Sequence, residues 1–246
     1  WTRGSGPSSG SCQKRVDSME DDRPAAGVLT MDDPRSPDRH RCDLVGFYYP
    51  GRDTVVDHLC GARFLGNFWS CELCFSPPGH EARPFQNAEA AFQACKFWSC
   101  AHEFSSLSGE EAFRKKKQLG APDFTYGGYG SNWRAMRAVL EMKFSEGSEL
   151  AGLLLGTGAA FLLEHNEVAG RDKVWSDNGD GSGSNWLGLQ LMLRRDELRG
   201  GGEGGWTSFI QAAVDLQTGT PRSDAWQRVV RSANADLSRA LQQHST

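Results

Sequence analysis

The 246-residue chain has no apolar run near the roughly 18 residues that a membrane-spanning helix needs. Its start also lacks the charged-then-apolar layout of a secretory signal. Positive charge is not in excess: 27 Lys and Arg against 31 Asp and Glu leave a formal net charge of −4. That balance excludes a whole-surface attraction to nucleic acid and leaves room only for a local basic cleft. A second close cysteine pair is missing too. Cys71 and Cys74 stand alone, with Cys60 upstream and His80 downstream, whereas a structural zinc site uses two such pairs, so no metal is expected. Seven cysteines without a secretory layout read as reduced thiols rather than a disulfide framework. The expectation is a soluble, intracellular, cytoplasmic protein without an internal repeat. Because the chain starts at Trp1 rather than a methionine, it is read as a piece whose natural start lies upstream.

What is present suffices for one sizeable core: 38% of the residues are hydrophobic, over a length that suits one domain with appendages. Residues 1–43 are rich in Ser, Gly, Pro, Asp and Arg without apolar periodicity, and read as a disordered lead. From Leu44, VGFYY and ARFLGNFWSCELCF are short aromatic and aliphatic runs broken by Pro and Gly, as strands and turns require. The chain then turns helical. Asn87 caps NAEAAFQACKFW; Ser108 opens a helix that Gly120 stops; Met136, Val139, Leu140 and Met142 mark an amphipathic helix. ELAGLLLGTGAAFLLEH reads as a helix or helix pair broken at Gly156 to Gly158. A polar glycine-rich loop, RDKVWSDNGDGSGSN, leads to the helix LGLQLMLRRDELR. Residues 200–246 form a glycine-rich joint and a helical extension that either docks on the core or serves as a separate tail.

In NAEAAFQACKFW, Glu89, Gln93 and Lys96 fall at i, i+4 and i+7 and so share one face, either a solvated stripe or a built site. Glu89 lies in the first helical turn, where the helix dipole favours its ionised form. Lys96 lies about 10 Å further along the axis, a gap two long side chains can close. The glycines of NGDGSGSN precede a helix start, where backbone amides can cradle a phosphate, although the spacing fits neither a dinucleotide-binding fingerprint nor a calcium loop. Asn67, between aromatics in FLGNF, either fixes a turn or reaches a ligand. Lys115 to Lys117 read as a solvated helix face or a contact for nucleic-acid phosphates, and His102 as a cap or surface group.

Taken in order, ARFLGNFW, NAEAAFQACKFW, MRAVLEMKF, LLGTG followed by Glu164, DKVW, and GSGSNWLGLQLMLRR resemble the motifs of the NADAR (YbiA-like) family over residues 44–199. The resemblance implies one compact domain, mainly α with a few short β-strands (α+β). It also implies an N-glycosidase that cleaves the bond between a ribose anomeric carbon and an exocyclic nitrogen. The substrate would be ADP-ribose on guanine in nucleic acid or a phosphorylated ribosylamino-pyrimidine of riboflavin synthesis. The alternative is a module that binds ADP-ribose or a nucleotide without cleaving it. On the family pattern Glu89, Asp172 and Lys96 are the catalytic candidates, and Asn67, Gln93, Trp133, Trp175, Gly183 and Asn185 the substrate-binding ones. Trp133 stands only three positions before Met136, closer than the family spacing of nearly two helical turns. Two carboxylates and an amine supply the charges such a reaction needs, so neither metal nor cofactor is expected.

Overall fold

The computed structural model describes residues 29–36, 38, 40–48, 54–201 and 204–244. Strands β1 (Leu29–Asp32), β2 (Arg41–Phe47) and β5 (Phe161–Glu164) form one sheet in the order β1-β2-β5, antiparallel then parallel, with Leu44 opposite Phe161. Strands β3 (Leu73–Phe75) and β4 (Arg83–Phe85) make a separate antiparallel pair. Around them lie α1 (Val55–Cys60), α2 (Ala88–Ala94), α3 (Gly109–Gln118), α4 (Asn132–Lys143), α5 (Glu149–Gly156), α6 (Trp186–Leu198), α7 (Thr207–Ala213) and α8 (Ala225–His244). The architecture is the expected mainly α fold with few, short strands. No helix among the described residues is long and apolar enough to cross a membrane.

Three boundaries differ from the sequence reading. The lead assigned to residues 1–43 holds β1 and the start of β2, because Met31, Cys42 and Leu44 put enough apolar surface against the core to order a two-stranded edge. Arg35 reinforces it by stacking 4.1 Å over the Trp206 ring and donating to the Gly204 carbonyl. Residues 1–28 lie outside the described ones. The run ARFLGNFW is a 3-10 turn at Arg63–Leu65 followed by loop, not a strand. ELAGLLLGTGAAFLLEH is α5 followed by β5; Phe161, Leu162 and Leu163 are buried on both faces beside β2, where a strand satisfies their backbone.

Helix α6 is buried nearly all round, Gln190, Arg195 and Asp196 included, and packs against β5, the arrangement of a central helix. The extension docks: α8 packs on the sheet through Trp226, Val230, Ala233 and Leu237. Trp206 and Trp226 lie 5.1 and 5.6 Å from the Phe161 ring. The caps follow the sequence: Asn87 Oδ1 accepts from the Ala90 amide, and Ser108 with Glu111 forms a reciprocal capping box. In α4, Met136, Val139 and Leu140 are buried, but Met142 faces outward at 43% exposure.

Candidate active site

A cleft of about 310 Å³ opens where α2, the end of β5 and the 166–176 loop meet. Helix α2 supplies its floor. The helix is buried on all sides, so the polar residues at 89 and 93 are not a solvated stripe: Glu89 is 6% and Gln93 2% exposed. Gln93 Nε2 donates to Glu89 Oε1 at 2.7 Å, and Lys96 Nζ donates to Gln93 Oε1 at 3.0 Å. The amide thus satisfies both charged neighbours with its two ends. The backbone passes from α to 3-10 helix at Cys95 and departs from helical geometry at Phe97, one residue after Lys96, so all three side chains keep the register of a single helix.

Burial decides the protonation of this row. It pushes the Glu89 carboxyl up, against the opposing effects of the Gln93 hydrogen bond and then Lys116 and Lys96; Asp172 adds to the rise. The first-turn dipole therefore does not hold Glu89 in the ordinary carboxylate range, because desolvation of a buried charge outweighs a terminal dipole. Burial also lowers the Lys96 amine to about 8, with Lys116 adding to the fall and Glu89 opposing it.

Glu164, the last residue of β5, brings a second buried carboxyl to the same cleft. Its Oε2 is fully buried and finds no hydrogen-bond partner among the described residues. Burial, then Asp172, Asp177 and Glu89, raise it well above the usual range, so it carries its proton where exposed carboxylates do not. Asp172 lies on the facing wall, its Oδ1 accepting from the Val174 and Trp175 amides at 3.0 and 2.9 Å. Asn67 lines the cleft as well; its Oδ1 is buried without a partner among the described residues, while its carbonyl accepts from the Glu89 amide. Behind it the buried Lys143 donates to the Gly66 carbonyl at 2.7 Å. Trp175 forms part of the wall, edge-on to Phe92 at 5.5 Å, and Tyr126 stacks on Phe92 at 5.6 Å.

Six of the nine expected residues therefore meet in one cleft: Glu89, Gln93, Lys96, Asn67, Asp172 and Trp175. The other three do not. Trp133 is buried in the core, its Nε1 donating to the Leu216 carbonyl and its ring edge-on to Trp186 at 4.9 Å; three residues before Met136 in α4, it shares that residue's inward face. Gly183 lies against its own loop, where a Cβ would fall 2.1 Å from the Ser176 carbonyl oxygen. Asn185 is fully buried and clamps β5, accepting from the Glu164 amide and donating to the Leu162 carbonyl. Nor does the glycine loop cradle an anion: the amides of residues 183–187 all donate to carbonyls between Val174 and Asp177 or to Lys173. Those donors are spent holding the loop closed.

The sequence reading missed several residues of the cleft, Tyr126, Glu164 and Lys116 among them. Glu164 was only a landmark within a motif, though a carboxylate ending the buried run FLL is a signal in itself. Lys116 was one of three lysines; the helix turns it to the cleft, where burial lowers its amine, partly offset by Glu89 and Asp172.

The sequence profile of the NADAR domain matches residues 58–199. The Escherichia coli (strain K12) protein named N-glycosidase YbiA is 43% identical over 155 residues, which are 60% of this chain and 90% of that protein. A Vibrio vulnificus protein named riboflavin biosynthesis protein VVA0006 is 32% identical over 164 residues, 64% of this chain; the chain spans only 41% of that protein's length. The solution structure of E. coli YbiA superposes with a TM-score of 0.47 at 26% identity, covering 63% of this chain and 86% of that one.

Proposed function

This chain belongs to the NADAR domain family, and from that premise we propose that it is an N-glycosidase acting on a riboside whose anomeric carbon bears an exocyclic nitrogen. The observation that carries the reading is the pairing, in one cleft, of Glu89 in its Gln93 and Lys96 row with the unpartnered acid Glu164. Two carboxyls in different surroundings can take the two opposite roles the reaction needs. As the C–N bond breaks, Glu164 gives its proton to the departing nitrogen. Positive charge grows on the ribose ring; Glu89, whose carboxylate form Gln93, Lys116 and Lys96 favour against the effect of burial, faces it and takes a proton from the water that attacks C1. The sum is riboside plus water to free sugar plus amine, and both carboxyls recover their states by exchange with solvent.

Asn67 and Asp172 hold ribose hydroxyls, Lys96 a hydroxyl or phosphate, and Trp175 with Tyr126 the heterocycle. The substrates this suits are ADP-ribose on guanine in nucleic acid and a phosphorylated ribosylamino-pyrimidine. One observation favours a second role for Lys96. An amine lowered to about 8 is partly neutral near pH 7 and so can attack C1 of an opened ribose, displacing the base amine to form a Schiff base that water then cleaves.

Both substrates are offered to the purified protein and product is followed by chromatography. Consumption of either, lost in Glu89→Gln with the fold unchanged by circular dichroism, is the expected result. Tight binding with no turnover over hours would instead make the cleft a nucleotide-binding site without catalysis. A sugar adduct on Lys96, trapped by borohydride and located by mass, distinguishes the nucleophile from the ligand.

A further inference from the structure

Helix α8 lies outside the residues matched by the family profile, yet its inward face is not purely apolar. Asn234 Nδ2 donates to Asp177 Oδ2 at 2.8 Å and to the Gly179 carbonyl at 3.2 Å. Two helical turns earlier, Gln227 Nε2 donates to the carbonyls of Gly181 and Gly183 at 2.7 and 3.1 Å, and Trp226 Nε1 to that of Ser184 at 2.7 Å. At Gly181, with φ +75°, a Cβ would come within 3.0 Å of Arg231 Cα, so loop and helix touch backbone to backbone.

The loop so gripped is the back of the cleft wall. Asp177, fully buried, joins three pieces of chain: its Oδ1 accepts from the Asn166 and Gly179 amides, and its Oδ2 contacts His165 Nδ1 at 2.7 Å beside Asn234. His165 and Asn166 directly follow Glu164. On the other side Ser176 Oγ donates to the Asp172 carbonyl, and Asn178 Oδ1 accepts from the Asp172 amide. A shift of Asp177 is therefore felt at both Glu164 and Asp172.

We infer that α8 is a positioning element of the cleft: Asn234, Gln227 and Trp226 hold the glycine-rich loop, and through Asp177 fix the wall that presents Asp172 opposite Glu164. The inference rests on the proposed function for its catalytic consequence, though not for its structural one. An extension beyond the matched region is thus built into the active site of this chain, and the same matched residues without such a helix need another device to hold Asp177.

The test compares the full chain with Asn234→Leu/Gln227→Leu and with Val229→Ala, which trims the apolar packing of α8 and leaves the loop bonds intact. Amide hydrogen exchange is read at Val174 and Trp175, which close on Asp172 and make no bond to α8. Faster exchange there in the double variant, but not in Val229→Ala, is expected. Cleavage should fall about 100-fold in kcat/KM with most of the loss in kcat, the size expected when groups at a reacting centre are misplaced by about 1 Å. Exchange altered only at 179–184, or equal losses of activity in both variants, would reduce α8 to a stabilising strut and overturn the inference. If the unaltered protein cleaves neither riboside, the proposed function loses its support, while the exchange pattern still decides the role of α8.

Discussion

Helix α2 and the loop 178–185 carry opposite lessons about polar sequence. Each offers several groups a ligand might use, side chains in the first and backbone amides beside glycines in the second. The helix pairs its backbone through its own ladder, the Asn87 cap and the Asn67 carbonyl, so the side chains of Glu89, Gln93 and Lys96 remain available to one another and to the cleft. The loop has no such ladder. Its amides must find carbonyls nearby, and those of residues 183–187 do, closing the loop upon 173–177. Glycine there serves close approach to protein rather than to a phosphate.

The largest effects should fall on the helix side of this contrast. Glu89→Gln keeps the shape and the bond to Gln93 but loses the anion; Glu164→Gln keeps the shape but loses the proton. Each should lower kcat about 10²- to 10⁴-fold, the range ordinarily supplied by a positioned acid or base, with little change in melting temperature. Steady-state rates with calorimetry on the same samples check both halves. If Glu164→Gln retains full kcat, the acid must be sought elsewhere in the cleft.

On the loop side the effect should be on stability. Gly183→Ala drives a methyl toward the Ser176 carbonyl and the Asp177 backbone, which must move. A loss of about 1–3 kcal/mol is expected in denaturant unfolding, as for overpacked interiors. A phosphate site would behave differently: the same substitution would weaken anion binding and leave stability alone.

Much of this contrast could be read in the sequence, for one reason. Helical spacing is a short-range rule, so the shared face of Glu89, Gln93 and Lys96 and the caps at Asn87 and Ser108 follow from positions a few residues apart. What long-range pairing decides was not legible. Phe161 to Glu164 pair with β2, and the strands at 29–32 and 41–47 pack against α8, partners far away along the chain. Glu164 and Lys116 were hidden for the same reason: their importance lies in the groups that surround them in space. The upward push on the Glu89 carboxyl was not legible either, because it comes from the burial of the whole helix rather than from its first turn.

Buried lysine gives a pH signature independent of activity. Burial lowers the Lys143 amine to about 8, with Cys71 opposing, from an ordinary value of 10.5. Between those values the unfolded chain binds a proton that the folded protein lacks, so stability should rise as pH climbs from about 8 to 10.5. Below 8 the full cost of the buried charge is present. Urea midpoints across this range should show the rise in the native protein and a smaller one in Lys143→Met. An unchanged slope would mean that Lys143 is neutralised by something beyond the Gly66 carbonyl.

The smallest effect separates the two tryptophans that the family pattern makes look alike. Trp133→Phe retains a ring against Trp186 but removes the donor to the Leu216 carbonyl, so it should cost about 0.5–1.5 kcal/mol of stability. Because the ring never reaches the cleft, KM should not move. Trp175→Phe touches the cleft wall and should raise KM with a smaller change in stability. Should the two results come out reversed, with KM following position 133, the segment after Ser131 must open in solution to bring that indole to the substrate, and the inward packing of α4 would describe only the closed form of the site.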